Sequence, residues 1–195
     1  MVAKKKKQVD IREKIVESAL HLAVEQGWEY TTLRDISAHS GISLSELFDI
    51  IDDKNDILVL LGRMIDKKIV ANTDISDDDD ISARDRLFDI LMDRYDALNE
   101  YRDGIKAILE SFRFDPKQLV ISMPHLCKSM SWMLEISGVE TSGIKGALKV
   151  AGLTGVYLKV MKTWAKDESE DLSKTMAALD KALERAETAA NVLGF

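Results

Sequence analysis

Residues 31 to 54 read TTLRDISAHSGISLSELFDIIDDK, and this stretch decides the fold that the sequence predicts. Either threonine at its start can cap a short helix, and Gly41 is placed for a tight turn. Ser43, with Glu46 three residues later, forms a capping-box pattern that opens a second short helix. Two short helices joined by a glycine turn are typical of a helix-turn-helix, whose second helix can present its first residues to a major groove.

The segments on either side of this stretch are also predicted to be helical. Apolar residues recur at helical spacing from Asp10 to Gln26, and Gly27 follows as a stop. A further helix begins after Asp53 and fades near Asn72. Residues 1 to 9 contain four consecutive lysines and are expected to form a disordered basic arm. The sequence therefore predicts a helix-turn-helix domain over residues 10–55.

The rest of the chain, residues 56–195, is predicted to form a larger helical domain. Its clearest loop is Thr73 to Asp80, because four consecutive aspartates repel one another and cannot enter a core. Beyond this loop, breaks in the apolar pattern separate predicted helices at about 81–100, 102–114, 116–136, 142–166 and 170–193. The expected fold class is all-α.

Composition limits the classes of protein to which the chain can belong. Hydrophobic residues make up 46% of the 195 residues, which is enough for a packed core, but the net charge of -7 does not indicate a nucleic-acid binder. No apolar run reaches membrane-spanning length and no signal peptide is recognisable, so a cytoplasmic protein is expected. The single cysteine, Cys127, excludes an internal disulfide and a cysteine-cluster metal site. Neither a catalytic motif nor a cofactor motif is present, and we expect no enzyme activity, metal or cofactor.

Residues 32 to 61, together with the helix from Asp10, resemble the DNA-reading domain of the tetracycline-repressor (TetR) family over about 50 residues. The resemblance implies a transcriptional regulator, acting as a repressor, that binds a palindromic operator in double-stranded DNA as a homodimer and responds to an apolar small molecule. In the family, a lysine at the position of Lys54 contacts phosphate. The residues expected to bind DNA here are Thr32, Arg34, Ser43, Leu44, Ser45, Phe48 and Lys54.

The sequence departs from the family pattern where the DNA contacts are made. Family members usually carry a tyrosine at the position of Phe48, so this chain keeps the ring and loses the phosphate-binding hydroxyl. From Arg34 to Asp56 inclusive, the sequence contains two basic residues and six acidic ones. Because affinity for DNA depends on neutralising phosphates, this acidic surface opposes binding.

The larger domain has apolar residues suited to a ligand pocket and small residues suited to a dimer interface. Methionine and tryptophan adapt to irregular apolar ligands. Small residues from Gly143 to Gly155 would let a second helix approach closely, and the last helix would complete a dimeric four-helix interface. The residues expected to line the pocket are Met123, Cys127, Met130, Trp132, Tyr157, Met161 and Trp164.

A second, more diffuse resemblance covers about 100 residues of the larger domain. It is to the lipid-binding accessory proteins of ubiquinone (coenzyme Q) biosynthesis, which have a TetR-like fold and an apolar cavity for isoprenoid-type lipids and have lost the DNA-binding role. This resemblance implies a lipid carrier as the alternative to a regulator. The residues that carry it are Arg84, Asp85, Arg86, Leu87, Trp132, Gly138, Lys149, Val156, Tyr157, Trp164, Asp167, Ser169, Asp171, Thr175, Leu179 and Asp180.

Overall fold

The computed structural model describes the backbone of residues 2–73, 81–111 and 116–194, and all regular secondary structure in these ranges is α-helical. The expected all-α fold class is confirmed. Residues 74–80, which make up most of the predicted acidic loop, lie outside the described residues. The helices are α1 Val2–Gln26, α2 Leu33–Ser40, α3 Leu44–Phe48, α4 Asp56–Asn72, α5 Ala83–Asn99, α6 Arg102–Ser111, α7 Pro116–Ile136, α8 Gly143–Trp164 and α9 Ser173–Leu193.

Helix α1 begins at Val2, so the structure differs from the prediction of a disordered arm over residues 1 to 9. The physical reason is local. Lysine has a high helix propensity, and neither glycine nor proline interrupts the chain between Val2 and Gln26. The four lysines therefore extend the helix that the apolar pattern predicted only from Asp10.

The helices form two compact units, the first of which comprises Met1–Met64 and Glu100–Met123. In unit 1, α1 packs against α2 and α6. The α1–α6 contact is close, because a Cβ atom added at Gly104 would lie 2.5 Å from Leu20 Cβ. In unit 1, α1 therefore lies in contact with α6 as well as with α2. The wholly buried apolar side chains of the unit include Ile15, Val16, Ala19, Ile36, Leu47, Ile57 and Ile108.

Unit 2 comprises Ile65–Asn99 and Pro124–Phe195, and the pairing of α8 with α9 is its most extensive helix contact. Its buried core includes Leu91, Tyr95, Met130, Met133, Trp164 and Leu179. The sequence placed the domain boundary between residues 55 and 56, and that boundary stays a prediction. By packing, α4 is shared between the two units and α6 belongs with the helix-turn-helix.

A membrane-spanning helix would have to be both long and apolar. No helix in the described part of the chain meets both conditions.

Candidate functional site

Two capping boxes fix the ends of the helices that form the helix-turn-helix. At the start of α2, Thr32 Oγ1 accepts a hydrogen bond from the Asp35 backbone N–H at 3.2 Å, and Asp35 accepts one from the Thr32 backbone N–H at 2.9 Å. At the start of α3, Ser43 and Glu46 make the same reciprocal pair, with both distances at 3.3 Å. These bonds satisfy N–H groups that the first turn of each helix leaves without partners.

The turn between α2 and α3 depends on Gly41. This residue has φ +70°, in the left-handed region that side chains with a Cβ rarely adopt. Its N–H donates to the Ser37 carbonyl at 3.1 Å and closes α2. The Ser37 hydroxyl then donates to the carbonyl of Ile42 at 2.6 Å, which joins the end of α2 to the start of α3. The turn predicted at Gly41 is confirmed.

Helix α3 presents the predicted reading residues together on its exposed side. Leu47 is wholly buried and holds the helix to the core, whereas Leu44, Ser45 and Phe48 are exposed. Phe48, with 56% of its surface exposed, is a large apolar side chain without a place in the core. Their projection from one short helix is the arrangement that groove reading requires, but DNA contact by these residues stays a prediction.

The other predicted DNA-binding residues lie at the starts of neighbouring elements. Thr32 is the N-cap of α2, and its hydroxyl is used in the capping box described above. Arg34 lies in the first turn of α2 and is exposed. Ser43 is the N-cap of α3 and is likewise exposed.

Lys54 binds the protein's own backbone. Its Nζ donates to the carbonyls of Trp28, Glu29 and Thr31 at 2.6, 3.2 and 3.1 Å, and it lies 5.2 Å from the centroid of the Trp28 ring. Partial burial lowers the pKa of Lys54, and the carboxylates of Glu29 and Asp53 oppose that shift. An ammonium group has three N–H donors, and all three are used here. Lys54 therefore fastens the turn after α1, and its phosphate contact stays a prediction.

The surface around the helix-turn-helix is acidic. Glu46, Asp49, Asp52 and Asp53 are all exposed. Hydrogen bonds from the Thr32 side chain and backbone lower the pKa of Asp35, so this carboxylate also stays charged at neutral pH. Among the described side chains of α2, α3 and the turns beside them, acidic groups outnumber the cations that most DNA-binding domains use against phosphates.

The seven predicted pocket residues differ in environment. Met130, Tyr157 and Trp164 are buried, Met123, Cys127 and Met161 are half-buried, and Trp132 is exposed, with the ammonium of Lys128 5.5 Å from its ring centroid. Met123 is grouped with unit 1 and the other six with unit 2. A shared pocket formed by these residues stays a prediction.

The structure places a buried polar cluster in unit 2, of which the sequence analysis singled out only Tyr157. We call Asp66, Arg94, Ser129 and Tyr157 the Arg94 cluster. Arg94 pairs with one carboxylate oxygen of Asp66, and the Ser129 hydroxyl donates to the other. Arg94 Nε donates to the Tyr157 hydroxyl oxygen at 3.2 Å. Each of these side chains is buried, and each comes from a different helix: α4, α5, α7 and α8, respectively.

A stacked tyrosine pair extends the cluster. The rings of Tyr95 and Tyr157 have centroids 5.1 Å apart and are inclined by 16°, and the Tyr95 hydroxyl donates to the Tyr157 carbonyl at 2.8 Å. Burial, together with the neighbouring Tyr157, raises the pKa of Tyr95 well above its usual value. The Tyr95 hydroxyl therefore stays protonated and remains a hydrogen-bond donor.

One feature of the sequence could have identified the Arg94 cluster. Arg94 lies four residues after Ile90 and three after Leu91, on the apolar register that α5 buries. Asp66 lies three residues before Ile69 on the corresponding register of α4. A charged residue on a buried apolar register needs a partner, and two such residues on separate helices indicate that they pair.

Among the side chains that the structure describes, no group of three or more His, Cys, Asp or Glu residues could hold a metal ion.

Several residues that carry the second resemblance make contacts that hold unit 2 together. Arg84 pairs with Asp180 and so joins α5 to α9. Asp167 accepts hydrogen bonds from the backbone and side chain of Thr175, at 2.7 Å each, and from Ser169. These contacts give the positions a role in packing whether or not the protein carries a lipid.

Comparison with solved structures identifies the fold. A TetR transcriptional regulator from Nitrosomonas europaea is 23% identical, with a TM-score of 0.69, and the match covers 91% of this chain and 98% of that one. A TetR transcriptional regulator from Rhodococcus sp. RHA1 is 14% identical, with a TM-score of 0.63 and coverage of 92% and 97%. No protein-family model matches the sequence, and a search of curated proteins found no match. The chain has the fold of the TetR transcriptional regulators.

Proposed function

We propose that this protein is a DNA-binding transcriptional regulator that acts as a repressor and responds to an apolar small molecule. The observation that carries the proposal is the exposed side of α3, where Leu44, Ser45 and Phe48 project from a helix fixed by a capping box and a left-handed glycine turn. A short helix that is held in place, and whose exposed side chains do not pack into the core, is suited to enter a major groove. The proposal involves no catalytic step and no cofactor, and it places the protein in the cytoplasm with the DNA.

Regulation in this proposal depends on a homodimer. Two reading helices must lie about 34–36 Å apart to enter successive major grooves on one face of a palindromic operator. An effector that binds better to a dimer with another spacing lowers the affinity for the operator by its difference in affinity for the two states.

The exposed side of α8 supports this dimer. Ile144 is 84% exposed and Leu148 is also exposed, so two large apolar side chains lie on one side of the helix without partners in the described chain. Further along the same helix, Cβ atoms added at Gly152 and Gly155 would meet nothing within 4 Å. By contrast, Gly146 is explained locally, because its Cβ would collide with the Thr141 backbone. A strip of small and apolar residues without an intramolecular partner fits a second copy of the chain.

The α8 strip gives a direct test of the dimer. We expect Ile144→Glu combined with Leu148→Glu to convert the dimer to a monomer, because the interface would bury two unpaired carboxylates on each copy. The matched control is Val70→Glu on α4, another exposed apolar position in unit 2, which should stay dimeric. Sedimentation velocity measures both. A dimer that survives the double substitution would place the interface elsewhere.

DNA binding is tested by selecting ligands from a pool of random duplexes at about 150 mM salt. We expect a palindromic site to be enriched. The double variant Ser45→Ala, Phe48→Ala should bind the selected site at least about tenfold more weakly, because one lost base contact is worth about 1–3 kcal/mol.

The matched control for that experiment is Val24→Ala on α1. Val24 is 54% exposed, close to the 56% of Phe48, and lies in the same unit but on α1, not on the proposed reading helix α3. Its affinity should stay within about twofold of the wild type, as for an ordinary surface substitution. Enrichment of no site, or equal losses in the two variants, would count against DNA reading by α3.

A second candidate function is the lipid carrier of the alternative resemblance. Two observations favour it: the acidic surface around α3, and the use of the Lys54 ammonium by backbone carbonyls. Both reduce the positive charge offered to phosphates. A carrier should enrich no duplex and should co-purify with an isoprenoid-type lipid that mass spectrometry of the same preparation detects. Enrichment of a palindromic site by a preparation that contains no bound lipid would exclude the lipid-carrier function.

A further inference from the structure

The turn between α1 and α2, residues 27–31, is tied together by several hydrogen bonds. The Tyr30 N–H donates to the Gly27 carbonyl at 3.2 Å. Thr31 donates twice, from its N–H to the Trp28 carbonyl at 3.3 Å and from its hydroxyl to the Gly27 carbonyl at 3.0 Å. Trp28 is 2% exposed, so a buried indole also anchors the turn.

Lys54 fixes the same turn from a distant part of the chain. Its Nζ donates to the carbonyls of three of the five turn residues, which lie 23 to 26 residues earlier in the sequence. Three converging carbonyls match the three N–H donors of an ammonium group. A phosphate that bound Lys54 would have to displace at least one of these carbonyls, so the geometry favours a role for Lys54 within the domain.

Tyr30 is the side chain that this turn presents to solvent. It is 70% exposed, and its hydroxyl has no hydrogen-bond partner among the described residues. Its ring lies against Gly27, where an added Cβ would be 3.4 Å from Tyr30 Cδ2. A tyrosine has only two side-chain torsions, so binding a partner costs it little conformational entropy. The fixed backbone and the open hydroxyl together form a preorganised hydrogen-bond donor.

The place of Tyr30 in the chain indicates its partner. The turn runs directly into α2, where the exposed Thr32 and Arg34 are predicted to bind DNA. Tyrosine hydroxyls are among the groups that bind DNA phosphates. The neighbouring Glu29 is exposed and opposes an anion by its charge, so a phosphate contact at this turn depends on a hydrogen bond rather than on net charge.

We propose that the Tyr30 hydroxyl donates a hydrogen bond to a backbone phosphate of DNA, and that Lys54 is the positioning residue that fixes the turn for this contact. The inference deepens the proposed function and rests on it, because it names a phosphate contact of the same domain. It also replaces the phosphate contact that the family resemblance implies for Lys54.

Removal of one hydroxyl tests the contact. Phosphate contacts carry no sequence information, so a labelled duplex of arbitrary sequence at about 50 mM salt serves as a probe beside the selected site. Fluorescence anisotropy should show that Tyr30→Phe binds both duplexes about fivefold more weakly than the wild type. The matched control is Tyr101→Phe, the other tyrosine of unit 1, which should stay within about twofold. Equal affinities of Tyr30→Phe and the wild type would overturn the inference.

The dependence of affinity on salt distinguishes the two roles of Lys54. Lys54→Met should weaken binding about fivefold and leave the slope of log Kd against log salt unchanged, whereas loss of a phosphate contact would reduce that slope by about 0.9. Lys54→Arg keeps the charge but presents a planar fork to carbonyls that converge on a compact ammonium. It should therefore also bind weakly, and wild-type affinity of Lys54→Arg would contradict the positioning role.

Two further measurements show whether Lys54 acts through Tyr30. In the Tyr30→Phe background, Lys54→Met should weaken binding by less than about twofold, because the hydroxyl contact is already lost. In the protein without DNA, hydrogen exchange at the Tyr30 and Thr31 amides should be at least about tenfold faster in Lys54→Met, while the amides of α1 keep their protection and report an intact fold. Losses that multiply, or unchanged exchange at the turn, would overturn the positioning role.

The arbitrary duplex separates this inference from the proposed function. If selection enriches no site but Tyr30→Phe still weakens binding to the arbitrary duplex, sequence-specific regulation is rejected and the phosphate contact is kept. If a palindromic site is enriched and Tyr30→Phe binds it like the wild type, the regulator is kept and the contact is rejected. A wild-type protein that binds neither duplex at about 50 mM salt would reject both.

Discussion

Replacing Arg94 by Met is expected to lower the free energy of unfolding by about 3–5 kcal/mol, because it leaves the buried carboxylate of Asp66 without its ionic partner. The carboxylate is 1% exposed, so water cannot replace the guanidinium. Of the bonds in the cluster, Asp66 would keep only the one from the Ser129 hydroxyl. Urea unfolding followed by tryptophan fluorescence measures the loss.

The companion variant separates the cost of an unpaired charge from the value of the pair. Asp66→Leu combined with Arg94→Met should recover most of the lost stability, because neither charge is then buried. If the double variant is as unstable as Arg94→Met alone, the shape of the pair, rather than its charge, holds the four helices together. The midpoint and the slope of the urea curve must both be compared, because a changed slope would indicate a less compact native state.

Replacing Asp167 by Ala is expected to cost about 3 kcal/mol, because it leaves the buried Thr175 backbone N–H and hydroxyl without their acceptor. These bonds join the loop after α8 to the first turn of α9, and α8 and α9 are the pair of helices with the most extensive contact in unit 2. The matched control is Asp171→Ala in the same loop. Asp171 is exposed and accepts a bond from the Ser173 backbone N–H at 3.1 Å, which that N–H shares with the Ser169 hydroxyl oxygen at 3.1 Å, so its loss should cost less than about 1 kcal/mol.

The same carboxylate makes stability depend on pH. Burial alone would raise the pKa of Asp167, but the hydrogen bonds from Ser169 and Thr175 outweigh it and hold the pKa well below the usual value. A carboxylate whose pKa is lowered by folding contributes stability that is present above its unfolded pKa, near 3.9, and is lost as the pH falls toward the folded value. The difference in stability between wild type and Asp167→Ala should therefore shrink below about pH 4. A difference that stays constant in acid would contradict this assignment.

The sequence by itself determined the all-α class and the geometry of the helix-turn-helix. The capping boxes at Thr32 and Ser43 and the left-handed turn at Gly41 involve residues within four positions of one another. Such contacts form wherever the chain is helical, so a linear pattern is enough to predict them. The exposed position of the predicted residues on α3 follows from the same helical period.

Only the tertiary structure decided which distant side chains meet. Lys54 reaches the Trp28 carbonyl across 26 residues, and Arg94 reaches Asp66 across 28. The apolar registers of α4 and α5 indicate that charged residues are buried there, but many helix arrangements satisfy the same registers. The choice among them depends on how whole helices pack, and that packing energy is shared among side chains that no local pattern connects.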